Sequence, residues 1–388
     1  MAAIQNQPLQ EDERRQLVTD YLSRFTKTLD ERQLSTIIRS PQTGNPLFLK
    51  VLLDELRVFG IYEQLDELMT GYLGASDPTQ LYNMILARLE KDYGQTCPGL
   101  VRDALSLIWA SRRGLSESEL LNMLGADGDP LPQAVWSPLF LAIEESLIMR
   151  EGLLNFFHDY LRQAVYERYI RSADNENWRH KEIADYFAGN ETDYRKADEL
   201  PWQLKQTADW NRLSDIIQDP ALLLEIWDRN EYEAKEYWTL TEQKTGLSPA
   251  VAFRKFVENP DDYLEGLWIV TLLLQDFGYA EESFKLLSFW EENMEEGSGN
   301  MVMMRNKKAT ILRDWGRIDE AMELYRMNEK DARLAGNEND INTSLSNQAI
   351  LLGMQGRLKE AYEQYLELEK KYRPSGDKYS LAVVLTNM

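Results

Sequence analysis

Residues 137–169 read SPLFLAIEESLIMREGLLNFFHDYLRQAVYERY. Ser137-Pro138 is a helix-start signal, a side-chain cap followed by proline at the first helical position. The helix it opens is expected to reach about Ser146. The apolar period then changes to two. Leu147–Arg150 and Leu153–Phe157 flank Glu151-Gly152, which predicts a tight β-hairpin. From Asp159 the period is helical again, with Leu161, Val165 and Tyr169 on one face. Helix, hairpin and helix make the second half of a winged helix. Its first half precedes it: Val101, Leu105, Ile108 and Trp109 stripe a helix that stops at Gly114. Ser116-Glu117-Ser118-Glu119 is a capping box that opens the next, with Leu120, Met123 and Leu124 inward.

A winged helix raises the question of DNA, which such domains read with cationic side chains on their third helix. From Pro132 through Ser146 there is no Lys or Arg, and Glu144 and Glu145 are acidic. The whole chain of 388 residues carries a formal charge of −22, from 65 acidic and 43 basic residues. Binding through phosphate neutralisation is therefore not expected, and the winged helix reads as a packing module. Cys97 is the single cysteine and His158 and His180 are the only histidines, so neither a disulfide nor a metal cluster is expected. No apolar run has membrane-spanning length and the N-terminus has no apolar signal core, which together predict a cytoplasmic protein.

Upstream, residues 10–39 read as two amphipathic helices, the first with Leu17, Val18, Tyr21, Leu22 and Phe25 on its face. Gly44-Asn45-Pro46-Leu47 follows: Asn45 is a helix cap, Pro46 fits the first turn, and the face runs through Val51, Leu52, Leu56 and Phe59 to Gly60. A further helix pair fills residues 61–98. Downstream, residues 173–262 are helical and rich in tryptophan (Trp178, Trp202, Trp210, Trp227, Trp238), read as core anchors.

From residue 263 the chain repeats. Gly278, Gly316 and Gly356 each open one helix-turn-helix corner; Ser283, Ala321 and Ala361 recur five positions later, and Leu287, Tyr325 and Tyr365 nine later. Ala309 and Ala349 precede the last two corners by seven. The pattern resembles tetratricopeptide repeats lengthened beyond 34 residues. The expected fold is mainly α: a small helical subdomain (1–98), a winged helix with a small β-hairpin (99–172), a helical connector (173–262) and a tetratricopeptide-type α-solenoid (263–388). Ser344–Gln348 recurs as Val384–Met388, so the chain reads as a piece of a longer protein that stops inside another repeat.

Phe157-His158-Asp159 at the wing-to-helix junction resembles the Met-His-Asp signature of the signal-transduction NTPases of the NACHT and NB-ARC type, with Phe157 in the methionine's place. Gly44-Asn45-Pro46-Leu47 is similar to the Gly-x-Pro motif that opens that family's small helical subdomain. The resemblance implies that Pro46 packs on an adenine base and that His158 reaches the phosphates and holds an ADP-bound resting state, with Gly44, Asn45 and Asp159 supporting them. It implies further that ADP or ATP with Mg²⁺ sits on an upstream nucleotide-binding domain, that the repeats bind a protein or peptide trigger, and that active subunits form a homo-oligomer. No Gly-x4-Gly-Lys-Ser/Thr loop occurs in this chain, nor Gly-x-Ser-x-Gly, His-Glu-x-x-His or Cys-x-x-Cys, so the chain alone is not expected to be an enzyme. Arg305, Lys307, Lys308 and Arg313 share one repeat helix and are candidate contacts for an acidic partner. Two other readings fit the same residues: a stand-alone repeat adaptor without nucleotide dependence, and part of a transcription regulator.

Overall fold

The computed structural model describes residues 8–58, 60, 64–293 and 299–388. The expected contribution of Phe59 lies outside the described residues. The chain divides into two compact units, Met1–Asp209 and Trp210–Met388. The division falls inside the expected connector: helices up to residue 206 fold with the winged helix, and those from residue 210 with the repeats.

The first unit begins with α1 (Glu11–Ser23), α2 (Glu31–Arg39), α3 (Pro46–Val58), α4 (Leu65–Tyr72) and α5 (Pro78–Tyr93). On α1, Val18 and Leu22 are buried, but Leu17 is 46% exposed and Phe25, two residues past its end, 39%, so the inward face is narrower than the apolar pattern. The winged helix follows as α6 (Leu100–Ala110), α7 (Glu117–Met123), α8 (Gln133–Ile143), strands β1 (Leu147–Arg150) and β2 (Leu153–Phe156), and α9 (Asp159–Val165), which ends in a π turn at Tyr166–Ile170. The strands pair antiparallel, closed by Arg150 opposite Leu153. Glu151 (φ 52°) and Gly152 (φ 81°) are both left-handed, the geometry a two-residue hairpin needs to match strand twist. Leu115 bridges Leu154 as a third, single-residue rung. A Cβ on Gly114 would lie 2.3 Å from the Leu154 carbonyl oxygen, so that approach requires glycine.

Helix α8 starts at Gln133, four residues before the Ser137-Pro138 signal, and Pro138 lies inside it. The indole of Trp136 is fully buried, as is Leu139. Burying two large side chains on this turn outweighs the hydrogen bond that Pro138 cannot donate.

Helices α10 (Ala173–Ala188) and α11 (Tyr194–Gln206) are held to the winged helix by a buried polar latch. The Arg112 backbone N–H donates to Glu199 Oε1 (2.8 Å), and Gln203 Nε2 donates to the same oxygen (2.7 Å) and to the Ala110 carbonyl (3.0 Å). His180 Nδ1 meets Gln203 Oε1 at 2.7 Å. Arg112 pairs with Asp198 (3.1 Å), and Arg195 with Glu119 (2.7 Å). Because removing a lone charge from such a set strands its partner, the latch specifies how α11 seats.

The second unit comprises α12 (Trp210–Ile217), α13 (Pro220–Thr245), the short α14 (Pro249–Ala252) and α15 (Arg254–Glu258), and then α16 (Leu267–Asp276), α17 (Ala280–Asn293), α18 (Gly299–Asp314), α19 (Ile318–Ala335), α20 (Glu338–Met354), α21 (Leu358–Ser375) and α22 (Lys378–Asn387). From α16 each helix packs on its successor, the repetitive helix-turn-helix stack of a solenoid. Gly278, Gly316 and Gly356 turn the corners with φ of 82°, 76° and 77°. Ser283, Ala321 and Ala361 are buried behind them, with Ala309, Ala349, Leu287, Tyr325 and Tyr365 in the core. Of the tryptophans, Trp238 is fully buried as an anchor, whereas Trp178 is 53% exposed with the Arg179 guanidinium over its ring. Among the described residues no helix is long and apolar enough to cross a membrane.

Burial pushes the Glu199 carboxyl up to about 7, from 4.5, against the opposing Arg112 N–H, Gln203 and Arg195. The proton is held more tightly folded than unfolded, so this stability is fully present below the unfolded value and lost as pH rises through about 7. Between pH 8 and 6.5 the Glu199 contribution should raise the unfolding midpoint of the first unit as pH falls, opposed in part by His180, whose burial favours the neutral ring. Glu199→Gln should flatten that slope in a pH series of thermal melts.

Candidate functional site

Two helix starts and the end of the wing converge on one cleft of about 780 Å³ in the first unit. The first start is the Gly-Asn-Pro turn. Asn45 Oδ1 accepts from the N–H groups of Leu47 (2.9 Å) and Phe48 (3.3 Å), capping α3, and Pro46 occupies its exposed first position. The second is Ser76-Asp77-Pro78. Asp77 Oδ1 accepts from the Gln80 N–H (3.0 Å), again with proline first in the helix. That N–H, then the Ser76 hydroxyl, hold the Asp77 carboxyl below the usual range. Pattern reasoning passed over Ser76-Asp77-Pro78, although its cap-proline signature matches Asn45-Pro46.

The third wall is Phe157-His158 and Tyr160. His158 is the half-buried residue before α9, yet its side chain makes no capping hydrogen bond there. Its ring instead meets Phe157 edge-on at 4.3 Å. Phe156 is buried in the wing, but Phe157 is 50% exposed and lines the cleft. Asp159 is exposed in the first turn of α9. Gly44, Asn45, Pro46 and His158 are thus brought together, and Asp159 stands just outside. Lys50 reaches the cleft from α3, its charge shared between Asp54 (3.0 Å) and Glu145 (3.4 Å). Proline and aromatic faces of this kind suit a flat ring, and an imidazole N–H can donate to an anionic oxygen.

The four repeat cations are arranged differently from an open basic face. Arg305 is only 5% exposed and spans Asp331 of α19 (2.6 Å) and Glu291 of α17 (3.5 Å). Lys308 also pairs with Glu291 (2.6 Å), and Arg313 with its neighbour Asp314 (2.8 Å). Lys307 donates to Gln275 of α16 (3.2 Å), and burial lowers its pKa. Three of the four are neutralised within the solenoid, Arg305 and Lys308 by acids on adjoining helices and Arg313 by Asp314 on its own. Among the described residues no group of three or more His, Cys, Asp or Glu could hold a metal ion.

Residues 22–169 match the family described as "Nephrocystin 3, helical domain", a stretch that contains all three walls of the cleft, though not Pro8 at its edge, and stops before α10. Over parts of its length the chain is similar to tetratricopeptide-repeat, nephrocystin-3 and NACHT-domain proteins. It is 33% identical over 241 residues to a TPR repeat-containing protein of Dictyostelium discoideum, covering 61% of this chain and 14% of that one. Nephrocystin-3 of Homo sapiens is 21% identical over 320 residues, 76% of this chain and 24% of the relative. The NACHT domain- and WD repeat-containing protein 1 of Homo sapiens is 28% identical over 204 residues, 47% and 12% of the two chains. The chain spans less than a quarter of the length of each of these relatives. No solved structure matches it.

Breaking a buried ion pair costs far more than breaking an exposed one. Arg305→Ala should therefore lower the stability of the second unit by roughly 3 kcal/mol, the low end because Asp331 and Glu291 keep some water. Arg313→Ala should cost less than about 1 kcal/mol. Urea unfolding followed in the second unit separates the two.

Proposed function

We propose that the first unit is the nucleotide-sensing portion of a NACHT-type signal-transduction NTPase in the cytoplasm and that the repeats are its partner-binding portion. The observation that carries this is the cleft itself: Pro46 and His158, far apart in sequence, line one space. Its proline and aromatic faces fit one side of an adenine, and the uncapped imidazole of His158 fits a phosphate oxygen. What the cleft lacks is a glycine-rich phosphate cradle, which the proposal assigns, with Mg²⁺, to an upstream nucleotide-binding domain of a longer parent.

In this scheme the parent's nucleotide supplies the hydrolysable phosphate, and this chain reads which nucleotide is present. His158 donates to the ADP-bound form and so favours the closed, resting arrangement by its differential contact alone. A protein or peptide trigger in the repeat groove favours the other arrangement, in which parent subunits assemble into a homo-oligomer.

In the parent chain, His158→Ala should speed release of a fluorescent ADP at least fivefold, within the roughly 5–150-fold range of a typical coupling between sites. The assembled fraction should rise by sedimentation, with the unfolding midpoint unchanged. Equal release rates and an unchanged oligomer distribution would leave His158 as a residue of the wing alone.

A further inference from the structure

Arg14 and Arg15 are adjacent on α1 and have different environments. Arg15 reaches outward and pairs with Glu31 (2.8 Å) at the surface. Arg14 is half-buried, and among the described residues its hydrogen-bond partners are all neutral. Its Nε donates to the Leu9 carbonyl (3.0 Å), and its Nη1 donates to the carbonyls of Ile38 and Ser40 (3.1 Å for the latter) and to Thr43 Oγ1 (3.2 Å). Thr43 is fully buried, and its hydroxyl in turn donates toward the carbonyls of Ile37 and Ser40 (both 2.7 Å). The segment before α1 is tied to the same place, the Leu9 N–H donating to the Gly44 carbonyl (2.8 Å).

These bonds enclose the turn that carries Gly44-Asn45-Pro46. The carbonyls of Ile38 and Ser40 close α2 and enter the turn, Thr43 lies within it, and Leu9 crosses its end. Helix ends leave such carbonyls without partners, and a planar guanidinium with donors in a fixed fork can collect several of them at once. Arg14 itself does not line the cleft, whereas Pro8, Pro41, Gln42, Gly44, Asn45 and Pro46, on the segments it ties, do.

We infer that Arg14 is a positioning residue for the cleft, clasping the 38–44 turn so that Asn45-Pro46 is presented to the ligand from a fixed wall. A lysine keeps the charge but not the fork and cannot span the Leu9 carbonyl and the Ile38–Thr43 acceptors together. The contribution to ligand binding rests on the nucleotide reading above; the clasp stands on its own geometry.

The test uses two variants, Arg14→Lys and Arg14→Gln, and two readouts. In the chain itself, hydrogen exchange should accelerate at least tenfold for the amides of Thr43, Gly44, Asn45, Leu47 and Phe48 in both variants, with less than twofold change in α6 and α9. Unchanged exchange at the turn, or an equal increase across the whole first unit, overturns the clasp. In the parent chain, release of fluorescent ADP should quicken severalfold in Arg14→Lys, while His158→Ala quickens release without altering exchange at the turn. If exchange rises in the Arg14 variants but only His158→Ala alters release, the positioning role is overturned and the nucleotide reading survives. If neither Arg14→Lys nor His158→Ala alters release, the nucleotide reading fails and, with exchange raised, the clasp remains.

Discussion

The first unit depends on the packing of α5 against α9. Helix α5 buries Leu81, Tyr82, Ile85, Leu86 and Leu89, and α9 buries Leu161, Ala164 and Val165. The residual space lined by Tyr82, Ile85, Leu86, Leu89 and Leu161 is only about 20 Å³, so the seam is filled by side chains. Past the end of α9, Arg168 donates to both oxygens of Glu90 (2.8 and 2.6 Å), which fixes the helices along their length. The starts of α5 and α9 consequently lie at the same end, and Pro78 and His158 face one cleft. Helix α3 is then set against α5, where Arg88 donates to both oxygens of the buried Glu55 (2.9 and 3.0 Å) and Tyr72 donates to the same carboxylate (2.9 Å). That contact brings Pro46 in as the facing wall.

Charge inside this protein serves mainly to choose one packing among several. The Glu55–Arg88–Tyr72 set, the Glu199 latch and the Arg305 staple each remove ions from water, at a desolvation cost close to the Coulombic gain. Apolar burial supplies the larger stabilisation, and the polar sets penalise any seating that leaves a charge alone. For α10 and α11 this has a structural consequence. They lie beyond the stretch that matches the nephrocystin-3 helical domain, yet the latch makes them part of the same compact unit.

Much of the architecture was readable from local signals because local physics imposes it. Glu151-Gly152 supplies the two left-handed residues of the wing, and the repeat glycines supply the left-handed corners. The spacing of Ser283, Ala321 and Ala361 marks where helices approach. Half of the cleft was readable too, since Asn45-Pro46 is a helix start and His158 stands at the junction between the wing and a helix. The unread features depend on tertiary neighbours. Pro138 sits inside α8 because Trp136 must be buried. A run of four cations on α18 looked open because the facing acids, Glu291 and Asp331, lie on other helices. Arg14 was silent because its partners, Thr43 apart, are backbone carbonyls, which carry no side-chain pattern.

The most direct measurement is photoaffinity labelling of the parent chain with an azido-adenine analogue of ADP, followed by peptide mapping. The account predicts adducts within Pro41–Pro46 and Phe157–Tyr160, competed by ADP and reduced when the α5–α9 seam is opened by Leu161→Ala. Labelling confined to sequence upstream of this chain or to the repeats, with neither cleft segment modified, would contradict it.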